Sequence, residues 1–165
     1  ASSAASDVYK RQLLALLGLN EEGVELTAVP LPALWPRLHA ACPDVTLRTP
    51  AAAPTVRGDA DLLLDLLCNL VQNASKASAP GAPVLVLCAQ AGDAVTLTVA
   101  DRGCGIPPEK HGYVFERFTK LDPFSQGNGL GLYLCRLIVT HLHGEIYIDS
   151  GYTGGTRIVA ILPRR

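Results

Sequence analysis

Charge is scarce in this sequence and balanced in sign: 18% of its 165 residues are charged and the formal net charge is −1. No block of Lys or Arg occurs, which removes the electrostatic footprint expected of a nucleic-acid binder or of a domain resting on an anionic membrane. Long apolar runs are missing too, since none approaches the ~20 residues that a membrane-crossing helix needs. The five cysteines (Cys42, Cys68, Cys88, Cys104, Cys135) are odd in number and lack C-x-x-C spacing. They read as small core residues in a reducing, cytosolic setting, with neither a structural disulfide nor a zinc site. Two familiar phosphate-binding signatures are also missing. No GK[ST] follows a glycine run and no strand leads into G-x-G-x-x-G, so the P-loop and dinucleotide-fold readings fail.

Residues 101–131 are where the sequence becomes specific. Val95, Leu97 and Val99 alternate with Thr96 and Thr98, a strand pattern that delivers the chain to Asp101 and so places a carboxylate at a strand's C-terminal end. Gly103 and Gly105, followed by Pro107 and Pro108, strip away bulk and let backbone pass close to a flat ligand. A second cluster, Gly127, Gly129 and Gly131, opens into the helix-period segment Leu130–Leu142. Bare N–H groups and the positive end of a helix dipole at those glycines suit phosphates. Taken singly, D-x-G-x-G is a common turn and a glycine-rich helix start is ordinary; together they point to a nucleotide.

A third stretch strengthens that reading. Residues 59–78 have a helical pattern opened by an Asp59 cap and stopped by Pro80-Gly81. At about 100° per residue, Leu63, Leu67, Leu70, Val71 and Ala74 share one arc, whereas Asp65, Asn69, Gln72, Asn73 and Lys76 share another. Asparagine is a weak helix former because its side chain competes for backbone hydrogen bonds, so two of them at i and i+4 call for a reason. An amide oxygen can ligate Mg²⁺, which completes its shell with waters and phosphate oxygens.

The order Asn69-x-x-x-Asn73-Ala74-x-Lys76, Asp101-x-Gly103-x-Gly105-Ile106-Pro107, Val114-Phe115-Glu116-Arg117-Phe118 and Gly127-x-Gly129-Leu130-Gly131-Leu132 resembles the ATP-binding catalytic domain of bacterial two-component sensor histidine kinases. These are similar to that family's asparagine, first glycine, phenylalanine and second glycine boxes, in order. The resemblance covers roughly residues 56–163. It implies a two-layer α/β sandwich of the Bergerat type, a mixed sheet with helices on one face, and ATP and Mg²⁺ as ligands. Under it Asp101 accepts from the adenine amine, where guanine presents a carbonyl, and Thr156 supplies a supporting hydroxyl beside it. Asn73 holds Mg²⁺, with Asn69 one turn earlier in support, and Lys76 offers charge to the phosphates. Gly103, Gly105, Ile106, Phe118 and Leu132 line the nucleotide, while Gly127, Gly129, Leu130 and Gly131 cradle its phosphates. One of Arg117 and Lys120 reaches a phosphate, although exposed cations are usually solvated. Arg102 stands where the family commonly has Asn.

The resemblance also implies a reaction. In ATP-hydrolysing relatives of the fold a glutamate one turn before the metal asparagine activates water, and here that position is Asn69. Phosphoryl transfer needs mostly positioning and charge neutralisation, and a neutral imidazole brings its own lone pair. Histidine kinase activity is expected first, and an ATPase or a degenerate binding module second. The family's acceptor histidine precedes an acidic residue, whereas His39, His111, His141 and His143 precede Ala40, Gly112, Leu142 and Gly144. The acceptor is thus expected on a separate dimerisation domain of the same kinase, with a response regulator receiver domain further downstream. The domain would be cytoplasmic, including as the cytosolic part of a membrane-bound sensor.

In chain order, residues 1–6 read as a frayed start without signal-peptide character. Residues 7–19 read as a helix, with 1–22 as a tail or the end of the dimerisation helix and 23–165 as the catalytic domain. An edge strand at 23–29, a helix at 32–41 and short strands at 45–49 and 55–57 are expected. Strands at 84–90 and 94–100 should flank a Gly92-Asp93 hairpin, and a final strand pair is expected at 146–149 and 156–162. Residues 107–128 should form a lid anchored by Val114, Phe115 and Phe118.

Overall fold

The computed structural model describes residues 8, 11, 12, 14–16, 25–116 and 130–165. Seven strands and three helices are found among them: β1 (Thr27–Pro30), α1 (Trp35–Ala41), β2 (Thr46–Arg48), β3 (Thr55–Gly58), α2 (Ala60–Ala77), β4 (Pro83–Ala91), β5 (Ala94–Ala100), α3 (Gly131–His141), β6 (Glu145–Ile148) and β7 (Arg157–Pro163). Five strands form a sheet in the order β2-β4-β5-β7-β6, with β2 parallel to β4 and every other pair antiparallel. The sheet is therefore mixed. Helices α2 and α3 lie against each other and against the sheet, giving the expected two-layer α/β sandwich.

The core explains why α2 is a helix in spite of its asparagines. Leu62, Leu63, Leu66, Leu67, Leu70, Val71 and Ala74 are all buried. Burying each leucine is worth about 1.5–3 kcal/mol, against a helix-propensity cost of roughly 0.7 kcal/mol per asparagine. Packing wins. The Asp59 side chain accepts from Leu62 N–H at 3.0 Å, which caps the helix where the sequence placed its start. At the other end the Ser78 hydroxyl donates to the Ala74 carbonyl at 2.7 Å.

Several expectations shift in detail. The strand expected at 23–29 runs over Thr27–Pro30 and pairs with β3 in a separate two-stranded sheet. The helix expected from Pro32 is broken into a 3₁₀ turn, Leu31–Leu34, followed by α1. Pro36 accounts for the break, because within a continuous helix its ring would clash with the carbonyl four residues back. The β4–β5 hairpin has the expected two-residue loop, with Ala91 opposite Ala94 and a positive φ of 59° at Gly92 alone, as in a type II′ turn. The cysteines are not uniformly core: Cys42 and Cys135 are buried, Cys68 and Cys88 partly so, but Cys104 is exposed. It sits between two glycines in a turn, where little neighbouring side chain exists to cover it.

Of the expected N-terminal helix, Val8, Arg11, Gln12 and Leu14–Leu16 are helical. Leu14 is buried, and Gln12 Oε1 accepts from the Tyr133 hydroxyl of α3 at 2.6 Å. Residues 107–116, the first part of the expected lid, contain a 3₁₀ turn at Pro108–Lys110 and bury Val114 and Phe115 in the core. His111 Nε2 donates to the Ile106 carbonyl at 2.8 Å, tying this turn to the glycine segment before it. No helix among the described residues is long and apolar enough to cross a membrane.

Candidate functional site

Strand β5, paired on both sides, carries the chain into Asp101, which is only 3% exposed. Its polar groups are accounted for almost completely. The backbone N–H donates to the Thr156 carbonyl at 2.9 Å, and the backbone carbonyl accepts from the Tyr152 hydroxyl at 3.0 Å. Oδ1 accepts from Gly103 N–H at 2.8 Å and from Thr156 N–H at 3.1 Å. Oδ2 has no hydrogen-bond partner among the described residues. Burial raises the carboxyl above its ordinary pKa, and the two amide bonds pull the other way. Beside it the Thr156 hydroxyl is buried without a hydrogen-bond partner. Buried polar atoms are nearly always satisfied, so this hydroxyl, on the residue whose N–H holds Oδ1, is an unmet hydrogen-bonding group close to Asp101.

The glycines around Asp101 are required by contact. A Cβ on Gly103 would lie 2.1 Å from the Ala77 carbonyl oxygen, and one on Gly155 would lie 2.0 Å from the carbonyl oxygen of Asp101. Gly105 has a φ of +76°, the left-handed region that glycine enters without strain. Cys104 N–H donates to the Ala77 carbonyl at 3.0 Å, joining the glycine turn to the last turn of α2. Ile106 is partly buried against the core.

On α2, Asn69 and Asn73 are partly buried and Lys76 is exposed. Asn69 Nδ2 donates to the Asp65 carbonyl at 2.8 Å, which fixes the amide and leaves its oxygen pointing elsewhere. That oxygen lies 3.3 Å from where a Cβ on Gly131 would stand, so the asparagine helix and the start of α3 meet at this point. The Asn73 side chain makes no hydrogen bond among the described residues. Leu130, at the N-cap of α3, gives no side-chain cap. The first N–H groups of α3 thus receive no bond from the side chain at its N-cap. Leu130 and Leu132 are partly buried against the core. The structure thus gathers Asn69, Asn73, Gly131 and the end of α2 on one side, and ties that end to Asp101, Gly103 and Thr156. Arg117, Phe118, Lys120, Gly127 and Gly129 lie outside the described residues.

Tyr152, which the sequence reading passes over, proves to touch the aspartate. Its signal in the sequence is faint, one aromatic in the Gly-rich segment between the last two strands.

The family model described as histidine kinase-, DNA gyrase B-, and HSP90-like ATPase matches residues 58–165. The chain belongs to that family. Similar proteins include a sensor protein and histidine kinases. Sensor protein SrrB of Staphylococcus aureus is 36% identical to this ATPase-family chain over 110 residues, 64% of the chain and 19% of SrrB. The chain thus spans a small part of the length of the curated relatives that it matches. The structure of the mycobacterial sensor histidine kinase MprB is 28% identical, with a TM-score of 0.70 over 84% of this chain and 97% of that one. Full-length ShkA, solved in complex with AMPPNP, shares the fold at 21% identity, with a TM-score of 0.74 over 97% of this chain and 36% of ShkA. The chain is a histidine-kinase-type ATP-binding domain.

Proposed function

We propose that residues 23–165 form the catalytic part of a sensor histidine kinase, which binds Mg-ATP and transfers its γ-phosphate to a histidine on a separate dimerisation and phosphoacceptor domain. From there the phosphate passes to an aspartate of a response regulator receiver domain. The observation that carries the reading is Asp101: one oxygen fixed by two amides, the other without a partner among the described residues, and an orphaned buried hydroxyl on Thr156, the residue that supplies one of those amides. A carboxylate oxygen so placed accepts from the adenine amine, and the Thr156 hydroxyl completes its bonding through the base or a water. The AMPPNP held by the like-folded ShkA agrees with this ligand class.

The residues present also fit a magnesium ion. Mg²⁺ takes few protein ligands, and the Asn73 amide, with no internal partner, can offer its oxygen there. When bound, the ion neutralises charge between the phosphates. Asn69 braces the same helix face against Gly131, and the open turn of α3 receives phosphate oxygens through its N–H groups. Lys76 adds charge at the helix end. Arg117 or Lys120 would supply a further cation, with Phe118 closing the nucleotide edge and Gly127 and Gly129 extending the phosphate cradle.

No group at position 69 can take a proton from water, so transfer to an imidazole is favoured over hydrolysis. The observation on the other side is Asp65, one turn back, whose carboxyl burial raises above its ordinary value, with Asp61 and Asp59 adding to the effect. A labelling experiment separates the two. The purified chain with γ-labelled ATP should neither label itself nor release phosphate rapidly. Adding a phosphoacceptor domain should yield acid-labile, base-stable label on that second protein, and weakly, because the tether that supplies effective concentration is absent. Rapid phosphate release abolished by Asp65→Asn would move the function to an ATPase.

A further inference from the structure

Residues 149–156, between β6 and β7, fold back onto the glycine turn through backbone bonds at Thr153 and Thr156 and through one side chain of their own. Tyr152 donates its hydroxyl to the Asp101 backbone carbonyl at 3.0 Å. Two guanidinium groups lie against its ring, Arg102 at 4.9 Å and Arg157 at 5.4 Å from the centroid. Neither is loose. Arg102 donates to the Thr153 carbonyl at 2.9 Å, and Arg157 donates to Asp149 Oδ2 through Nε at 2.9 Å with Nη2 at 2.7 Å. Arg102, which replaces the asparagine common at this place, is thus matched to Tyr152 across 50 residues of sequence.

We propose that Tyr152 is a positioning residue for base recognition: by holding the Asp101 carbonyl it fixes the rotation of that residue and so the direction of its partnerless Oδ2. The physical ground is the inventory around Asp101. Its N–H is held by Thr156 and its Oδ1 by Gly103 and Thr156, yet both of those are also backbone groups that move with the two loops. Among the described residues the Tyr152 hydroxyl is the one side-chain bond that pins Asp101 from the β6–β7 side, and the two cations fix the ring that carries it. Losing the hydroxyl frees the peptide after Asp101 to rotate, which displaces the Gly103 N–H downstream of it and so loosens the Oδ1 bond that sets the direction of Oδ2.

The inference rests on the proposed reading of Asp101 as the group that reads the adenine amine. The test compares ATP with purine riboside triphosphate, which lacks only that amine, binding to the wild-type chain and to Tyr152→Phe, which keeps the ring between its cations. Loss of one hydrogen bond corresponds to about three- to tenfold, so ATP should bind about that much more weakly to the variant while the deaminated analogue changes less than about twofold. In the nucleotide-free protein the Gly103 and Thr156 amides should exchange with solvent about three- to tenfold faster. Arg102→Gln, which spares the hydroxyl but releases the ring and the Thr153 carbonyl, should narrow the same discrimination less. Equal weakening of both triphosphates, or discrimination and amide exchange unchanged in both variants, overturns the inference alone. A wild-type chain that binds both triphosphates equally removes Asp101 as the reader of the amine and overturns the inference with it.

Discussion

Replacing Asp101 by asparagine keeps the shape of the side chain and changes its charge and one atom. The amide oxygen can retain both bonds that Oδ1 accepts, from Gly103 at 2.8 Å and Thr156 at 3.1 Å. The NH₂ group then stands where Oδ2 stood and meets the adenine amine donor to donor. A hydrogen bond to a charged group contributes about 1.5–3 kcal/mol, so ATP affinity should fall at least about ten- to 150-fold, and discrimination against GTP should shrink because guanine offers a carbonyl there. Stability should move the other way. Burial raises this carboxyl above its ordinary value, and a group raised in the folded state favours folding below its unfolded pKa of about 3.9, an advantage lost as pH rises through the folded value. The melting temperature of Asp101→Asn relative to wild type should therefore rise as pH increases from below about 3.9 through the raised titration of the folded carboxyl. Titration calorimetry with an ATP analogue and thermal melts over that range measure both. Undiminished ATP binding by the variant, or a relative melting temperature that falls with pH, would refute the reasoning.

Three further outcomes can be checked. Asn73→Ala should weaken nucleotide binding far more in Mg²⁺ than in EDTA, by direct titration in the two buffers; equal losses would make the residue purely structural. Gly103→Ala drives a methyl to within 2.1 Å of the Ala77 oxygen, and strain of this kind costs about 1–3 kcal/mol, so thermal melting should fall together with nucleotide affinity. A maleimide followed by mass spectrometry should label exposed Cys104 first, whereas Cys68 and Cys88, pushed up to about 11 by burial, react slowly and buried Cys135 last.

What could be seen in the sequence was local. The Asp59 cap acts three residues away, the Gly92 turn spans two, and the leucines of α2 repeat at helix spacing, so each is visible within a short window. The break before Trp35 was equally local, since Pro36 announces it, but the helical pattern of Leu34 and Leu38 hid it. Contacts across the fold were not visible. Gly155 reads as an ordinary loop glycine until its close approach to Asp101 is seen, and Tyr152 reaches a carbonyl 51 positions away. Cys104 was misjudged because apolar neighbours in sequence, such as Ile106, say nothing about which side of a turn faces solvent.

The bond from Cys104 N–H to the Ala77 carbonyl sets one more property of the molecule. Ala77 lies one turn beyond Asn73, about 6 Å along α2, so the amide proposed to hold the metal and the carboxylate proposed to read the base are the two jaws of one caliper whose opening is set by the last turn of a helix. Tilting α2 moves both jaws together, and affinity for the base and for the metal-bridged phosphates cannot be adjusted separately from that side. The far end of the gauge is different: at Gly131 the start of α3 faces the Asn69 side-chain amide of α2, not its backbone. A substitution at Asn69 or Gly131 can therefore change the spacing to α3 while leaving the bond between the glycine turn and α2 in place.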